Sequence, residues 1–330
     1  MSVSVAPNIH IERVADEHDD DAVATEVREG LARQLKELPP KLFYDARGSQ
    51  LFDRITTLPE YYPSRAEREI LNRRAPEIVA ESGARELVEL GSGTASKTRA
   101  LLYAMAGAGT LERYVPFDVD ESVVEACAEE LVALYPGLEV HGMVGDFGRH
   151  LGHIPDGEAR LFAFLGGTIG NLYPPERAAF LGSLARSLGP TDRLLIGTDL
   201  VKDRAVLEAA YNDSQGVTAQ FNRNVLHVVN ARLGADFDPE AFEHVAFFDE
   251  ANAWIEMRLR ARGVQRVRVG GENFEVNFED GEEMRTEISA KFTQETIASD
   301  LAAAGLVLDD FHTDEARLFG LASASVPQRS

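Results

Sequence analysis

Glu89-Leu-Gly91-Ser-Gly93-Thr94 follows the apolar run Glu86–Leu90 and precedes a segment with helical spacing that carries Lys97. Glycines placed there let the backbone turn tightly and approach a ligand, as a nucleotide-like cofactor requires; a plain turn is the other reading. Two further acids stand just past later apolar runs, in Asp118-Val-Asp120 and Gly145-Asp146-Phe147. Aspartates in those places can accept from ribose hydroxyls and from an adenine amino group, with Phe147 beside the ring face. Each alone would be an ordinary loop or cap residue. Position 96 is Ser, where a dinucleotide fingerprint has its third glycine, and Asp118 lies beyond the roughly 20 residues expected for a nicotinamide ribose acid. With no Gly-Lys-Ser/Thr pair following, a triphosphate loop is excluded. An adenosine without a pyrophosphate fits, and S-adenosylmethionine is such a molecule.

A second glycine loop, Leu165-Gly166-Gly-Thr168-Ile-Gly170-Asn171, closes another apolar run. It would bring Thr168 and Asn171 to the carboxyl edge of a parallel sheet, where open α/β folds bind substrates; Asn171 as a helix cap is the alternative. In Leu58-Pro-Glu-Tyr61-Tyr62-Pro-Ser-Arg65, two prolines stiffen a loop carrying two phenols. Tyr61, Tyr62 and Tyr211 are either packing residues or neutral grips for a carboxylate, with ring faces that tolerate a methylated ammonium. Met284–Phe292 alternates strictly, placing Glu283, Arg285, Glu287, Ser289 and Lys291 on one face. That face is either a solvated charged edge or a ligand surface in which Glu287 and Ser289 meet one small molecule. The eight histidines give no metal constellation; His150 and His153 form a close pair in a glycine-bearing segment that reads as a solvated loop.

These residues need a scaffold, and the pattern supplies one. Short apolar runs at 86–90, 114–119, 138–144, 161–165 and 193–198 alternate with helical segments, which predicts a doubly wound parallel sheet. Residues 203–234 read as two helices and Phe242–Phe278 as an antiparallel insert broken at Gly263 and Gly270-Gly271. A helix over Thr296–Ala304 and a closing hairpin, 307–313 with 318–324, end the pattern. The fold class is α/β, with a seven-stranded Rossmann-like core and a smaller α+β substrate-binding domain inserted. The expected boundaries are an acidic flexible tail at 1–20, a substrate domain at 21–64 and 200–283, and a core at 65–199 and 284–330.

Asp and Glu number 55 against 33 Lys and Arg, a net charge of −22. Such a surface repels phosphate backbones and anionic lipid, so neither a nucleic acid nor a membrane is an expected partner. The single cysteine, Cys127, cannot form an internal disulfide. A cytoplasmic monomer without metal is expected.

The stretches Leu38-Pro-Pro-Lys-Leu-Phe-Tyr44, Leu58-Pro-Glu-Tyr-Tyr-Pro, Leu87-Val-Glu-Leu-Gly-Ser-Gly-Thr, Thr168-Ile-Gly-Asn171, Gly197-Thr-Asp-Leu-Val-Lys-Asp203, Phe221-Asn-Arg-Asn-Val-Leu226 and Glu282-Glu-Met carry a wider likeness. From about Leu38 to Phe319 the chain resembles the S-adenosylmethionine-dependent L-histidine Nα-methyltransferases of ergothioneine biosynthesis. The resemblance implies three successive methylations of free histidine to hercynine. It implies that Gly91, Gly93, Lys97, Asp118, Asp146 and Phe147 hold the cofactor. Tyr61, Asn171 and Tyr211 would hold the amino-acid end, near Gly166 and Thr168, with Tyr61 and Asn171 anchoring it during catalysis. Glu287 and Ser289 would bind the imidazole, with Tyr44 reaching it through water and Met257 shaping the pocket. The alternatives are an N-methyltransferase for an indole-bearing amino acid and a non-catalytic adenosine-cofactor module.

Overall fold

Runs such as Leu87-Val-Glu-Leu90 and Leu161-Phe-Ala-Phe164 bury nearly every side chain, as strands covered on both faces must. In the computed structural model, which describes residues 3–6, 8–14, 19–270 and 274–327, they build a nine-stranded sheet. Its order is Val3–Ala6, Ile9–Arg13, Glu139–Val144, Arg113–Asp118, Glu86–Leu90, Arg160–Phe164, Arg193–Asp199, Phe319–Ser325 and Val307–Thr313. The strands from Ile9–Arg13 through Arg193–Asp199 run parallel, and the C-terminal hairpin joins antiparallel through Phe319–Ser325. Chain order reverses at Glu86–Leu90, which lies between Arg113–Asp118 and Arg160–Phe164. This is the switch point at which such sheets bind ligands.

The sheet exceeds the expected seven strands because the N-terminus joins it. Residues 1–20 are not simply an acidic tail: Ile9 and Ile11 are buried and their strand pairs in register with Val140–Val144. Two alternating isoleucines outweigh the acids around them. Residues 15–18 of the expected tail, and Gly271, lie outside the described residues.

The chain divides into two compact units. One comprises Ala66–Leu200, the segment from Phe292 onward and the N-terminal strands; the other comprises Glu17–Arg65 and Val201–Lys291. The second unit holds a four-stranded sheet ordered Lys36–Glu37, Glu283–Ala290, Trp254–Ala261 and Phe242–Asp249, and a hairpin of Gln265–Val269 with Phe274–Phe278. The helices Arg204–Tyr211 and Val217–Leu233 belong to the same unit. The strand expected at Met284–Phe292 forms, but in this smaller sheet and not in the Rossmann-like core. Alternation fixes that a segment is a strand and leaves its partner open.

Candidate active site

In the first unit the glycine turn leaves the switch-point strand with Gly91 at φ +75° and Gly93 at φ +48°, a left-handed backbone suited to glycine. The Gly91 N–H donates to the Phe117 carbonyl at 2.8 Å, and the Gly93 N–H to Asp118 Oδ2 at 2.8 Å. The other oxygen of Asp118 accepts from the Asp120 N–H at 3.2 Å. Burial raises the Asp118 carboxyl, opposed by these backbone donors. A side chain at Gly91 would stand 3.5 Å from Cε1 of Phe147, so this glycine keeps open a cradle floored by backbone and walled by an aromatic ring. Phe147 is fixed edge-on against Phe164 and Phe180, with centroids 5.5 and 6.0 Å away. Asp146 caps the short helix Phe147–His150 through the Gly148 N–H at 2.8 Å. An adenosine fits this set of groups: carboxylate oxygens to accept from hydroxyl and amino groups, an edge-anchored ring for the base, and no side chain over the turn.

Lys97 stands within the same unit. Its Nζ lies 2.6 Å from Oε2 of Glu67, a fully buried residue whose other oxygen accepts the Gly166 N–H at 2.8 Å. Glu67 thus ties the first glycine loop to the second. Sequence reasoning missed it, because Glu67 sits in the charged helical stretch Arg65-Ala-Glu-Arg-Glu69 and resembles a surface residue. The one trace in the sequence is Gly197, where a Cβ would come within 2.3 Å of Glu67 Oε1. Gly166 and Gly167 both take left-handed φ, and Thr168–Asn171 forms a 3-10 turn in which Thr168 Oγ1 donates to the Leu165 carbonyl at 3.0 Å. Asn171 is half-buried there rather than capping the helix that begins at Pro174.

In the second unit the proline-bracketed loop is held by Arg65, whose guanidinium donates to the carbonyls of Leu58, Pro59 and Tyr61. Tyr61 is 8% exposed, its ring edge-on to that of Tyr211 at 6.3 Å. Tyr62 accepts from Lys202 Nζ at 2.7 Å. Tyr44 is 40% exposed and packs edge-on against Phe52 and Phe221.

The polar face of Glu283–Ala290 changes character along its length. At its start Glu283 pairs with Arg258 and Arg260, and Arg285 with Glu37 and Glu256. Further on Glu287 is 9% exposed and Ser289 is 6% exposed, so the solvated-edge reading does not hold. Met257, buried, lies opposite Glu287 on the neighbouring antiparallel strand. Tyr211 Oη and Ser289 Oγ are 2.7 Å apart, and Lys291 Nζ donates to both. Behind them Thr286 donates to Asn222, Asn222 Nδ2 meets His244 Nδ1 at 2.8 Å, and His244 Nε2 lies 2.9 Å from the Tyr211 carbonyl. With Nδ1 accepting and Nε2–H donating, His244 is the neutral imidazole, in line with burial pushing its pKa down. Lys291, Asn222 and His244 are further residues the sequence did not single out.

Two readings of the histidines need correction. His150 is buried, not in a solvated loop. His10 stands in register with His141, and with Glu12 each brings a ligand-type atom within 4.8 Å of the others; Glu81, Asp310 and His312 do likewise. Strand pairing creates the first group, and in the second Glu81 of the helix Pro63–Ser82 meets two residues of the strand Val307–Thr313; sequence spacing reveals neither. His141 Nε2 lies 3.3 Å from Glu12 Oε2, a cross-strand pair. Among the described residues, no helix is long and apolar enough to cross a membrane.

A doubly wound sheet with a glycine turn at its switch point and acids past the next two strands defines a Rossmann-like domain of the methyltransferase class. A family model described as histidine-specific methyltransferase, SAM-dependent, matches residues 23–326. The chain belongs to that family. It is 55% identical over 304 residues to a histidine N-alpha-methyltransferase of Mycobacterium tuberculosis (strain CDC 1551 / Oshkosh), covering 92% of this chain and 95% of that protein. The identity and coverage are the same for the enzyme of that name from Mycolicibacterium smegmatis. It is 33% identical over 254 residues to ergothioneine biosynthesis protein 1 of Neurospora crassa, covering 71% of this chain and 29% of that longer protein.

Proposed function

We propose that this protein transfers three methyl groups in succession from S-adenosylmethionine to the α-amino group of free L-histidine, forming hercynine, the first step of ergothioneine biosynthesis. The observation that carries the substrate is the burial of Glu287 beside Ser289 and Met257 in a chain of the histidine-specific family. An imidazole N–H donating to that carboxylate would make a charge-assisted hydrogen bond worth about 1.5–3 kcal/mol. An indole also donates one N–H but has no bare ring nitrogen to meet Ser289, so it matches the polar pair less fully than an imidazole.

The cofactor is assigned to Gly91, Gly93, Lys97, Asp118, Asp146 and Phe147; when bound, it supplies an activated methyl group on a cationic sulfur. The remaining work falls to this chain's side chains. The amino-acid end is assigned to Tyr61, Asn171 and Tyr211, with Gly166 and Thr168. The attacking amine must be neutral; the Tyr61 hydroxyl is assigned to polarise it while Asn171 keeps the carboxylate end anchored. Phenols and an amide grip that end without adding a full positive charge, and their ring faces accommodate a growing methylammonium. Alignment then provides most of the rate.

The test is a panel of proteinogenic amino acids incubated with enzyme and cofactor and read by mass spectrometry. Histidine carrying up to three added methyl groups is the expected product. Methylation of tryptophan, or cofactor binding without turnover, would replace this reading with one of its alternatives.

A further inference from the structure

The Tyr211 hydroxyl and Ser289 Oγ lie 2.7 Å apart, and Lys291 Nζ donates to them at 3.0 and 2.8 Å. The three residues are 9%, 6% and 4% exposed. An ammonium group donates and cannot accept, so both hydroxyl oxygens already receive a proton from Lys291. Of the two hydroxyls the phenol is the stronger acid, so its O–H closes the bond to Ser289. Ser289 Oγ then accepts twice, and what it has left to offer a ligand is its own O–H. Two positions earlier on the same strand face stands the Glu287 carboxylate, assigned here as the acceptor for a ring N–H.

We infer that Lys291 is a positioning residue that sets the sense of this pair, making Ser289 a hydrogen-bond donor so that the pocket reads a ring with one N–H and one bare nitrogen. That ring is neutral imidazole. An imidazolium carries a second N–H, which would face the Ser289 O–H with an ammonium behind it. The inference rests on the histidine reading and deepens it.

The titratable and charged groups around Lys291 in its unit come from several elements. Tyr211 ends the helix Arg204–Tyr211, and Tyr61 approaches the Tyr211 ring from the proline loop. Glu287 shares the strand, while Glu256 on the adjoining strand is tied to Arg258 and Arg285. His244 reaches the Tyr211 carbonyl from the strand Phe242–Asp249. Titration of any of these affects all ring-bearing ligands alike, so a ligand whose ring does not titrate removes their contribution.

The test is calorimetric binding of histidine and of β-(1,2,4-triazol-3-yl)alanine, whose ring stays neutral, to the full chain with S-adenosylhomocysteine present. With a ring pKa near 6.5, histidine should weaken about tenfold more than the triazole between about pH 8 and about pH 5.5 in the wild-type protein. In Lys291→Met that excess should fall below about threefold, because Ser289 regains the ability to accept, and Lys291→Arg, which keeps the donors, should restore it. Should Lys291→Met fail to fold, Ser289→Ala must show the same loss of excess. A folded Lys291→Met or Ser289→Ala protein that keeps the full excess overturns the role of Lys291 alone. Wild-type protein that binds a different amino acid and not histidine overturns the histidine reading with it.

Discussion

Asp118 accepts the backbone N–H of Gly93 at 2.8 Å, so the acid ending the second core strand also shapes the glycine turn that follows the first. The carboxylate still has lone pairs for a ribose, but its removal would relax the turn as well as delete a ligand contact. Asp118→Ala should weaken S-adenosylhomocysteine binding by at least about tenfold, with Asp118→Asn intermediate because its amide oxygen can keep one of the two backbone donors. Calorimetry on the purified variants checks the ranking.

Gly197→Ala tests the tie through Glu67. A methyl group there would sit 2.3 Å from Glu67 Oε1 and 3.2 Å from Phe319, so the carboxylate must leave the Gly166 N–H. Overpacking of this kind costs about 1–3 kcal/mol, and the glycine loops should loosen with it. A lower melting temperature together with weaker cofactor binding is expected; an unchanged melting curve would show that Glu67 yields freely.

Glu89, at the base of the glycine turn, is buried and accepts from Thr98 and Tyr114, and burial pushes its carboxyl up to about 7. An acid with a raised pKa holds its proton in the folded state, so stability is undiminished below about 4.5 and falls as pH rises through about 7. Wild-type stability should therefore drop by about 2–3 kcal/mol relative to Glu89→Gln between about pH 5 and about pH 8. Urea unfolding of both proteins at the two pH values measures the difference. Parallel curves would place the carboxyl in its ordinary range.

Glu287→Gln should raise the KM for histidine by about ten- to a hundredfold, the range of one charge-assisted hydrogen bond, and leave cofactor affinity unchanged. Tyr61→Phe should act differently, slowing the methylations more than it weakens histidine binding. If Tyr61→Phe keeps the full trimethylation rate, the phenol has no part in the chemistry.

Much of the scaffold was legible because its signals are local. Continuous apolar runs mark the core strands, Gly91 and Gly93 mark the turn, and Gly263 and Gly270 mark breaks in the antiparallel insert. What stayed hidden depends on partners distant in sequence. Glu67 reads as a surface acid until Gly166 and Lys97 come to it. Lys291 reads as one more charge on an alternating strand until Tyr211 and Ser289 enclose it. The same holds for Met284–Phe292, whose alternation announced a strand but not the smaller sheet that receives it. At the N-terminus, Ile9 and Ile11 were outvoted by surrounding acids, although two buried side chains and a parallel partner suffice to make a strand.

The central claim is that Glu287 and Ser289 read the two ring nitrogens of histidine, and nitrogen-15 NMR of ring-labelled histidine bound to the protein with S-adenosylhomocysteine tests it most directly. The account predicts two well-separated resonances, one from an N–H and one from a bare acceptor nitrogen, that collapse toward the free ligand's spectrum in Glu287→Gln. Bound histidine whose ring nitrogens match those of free histidine, or both of which are protonated, would contradict it.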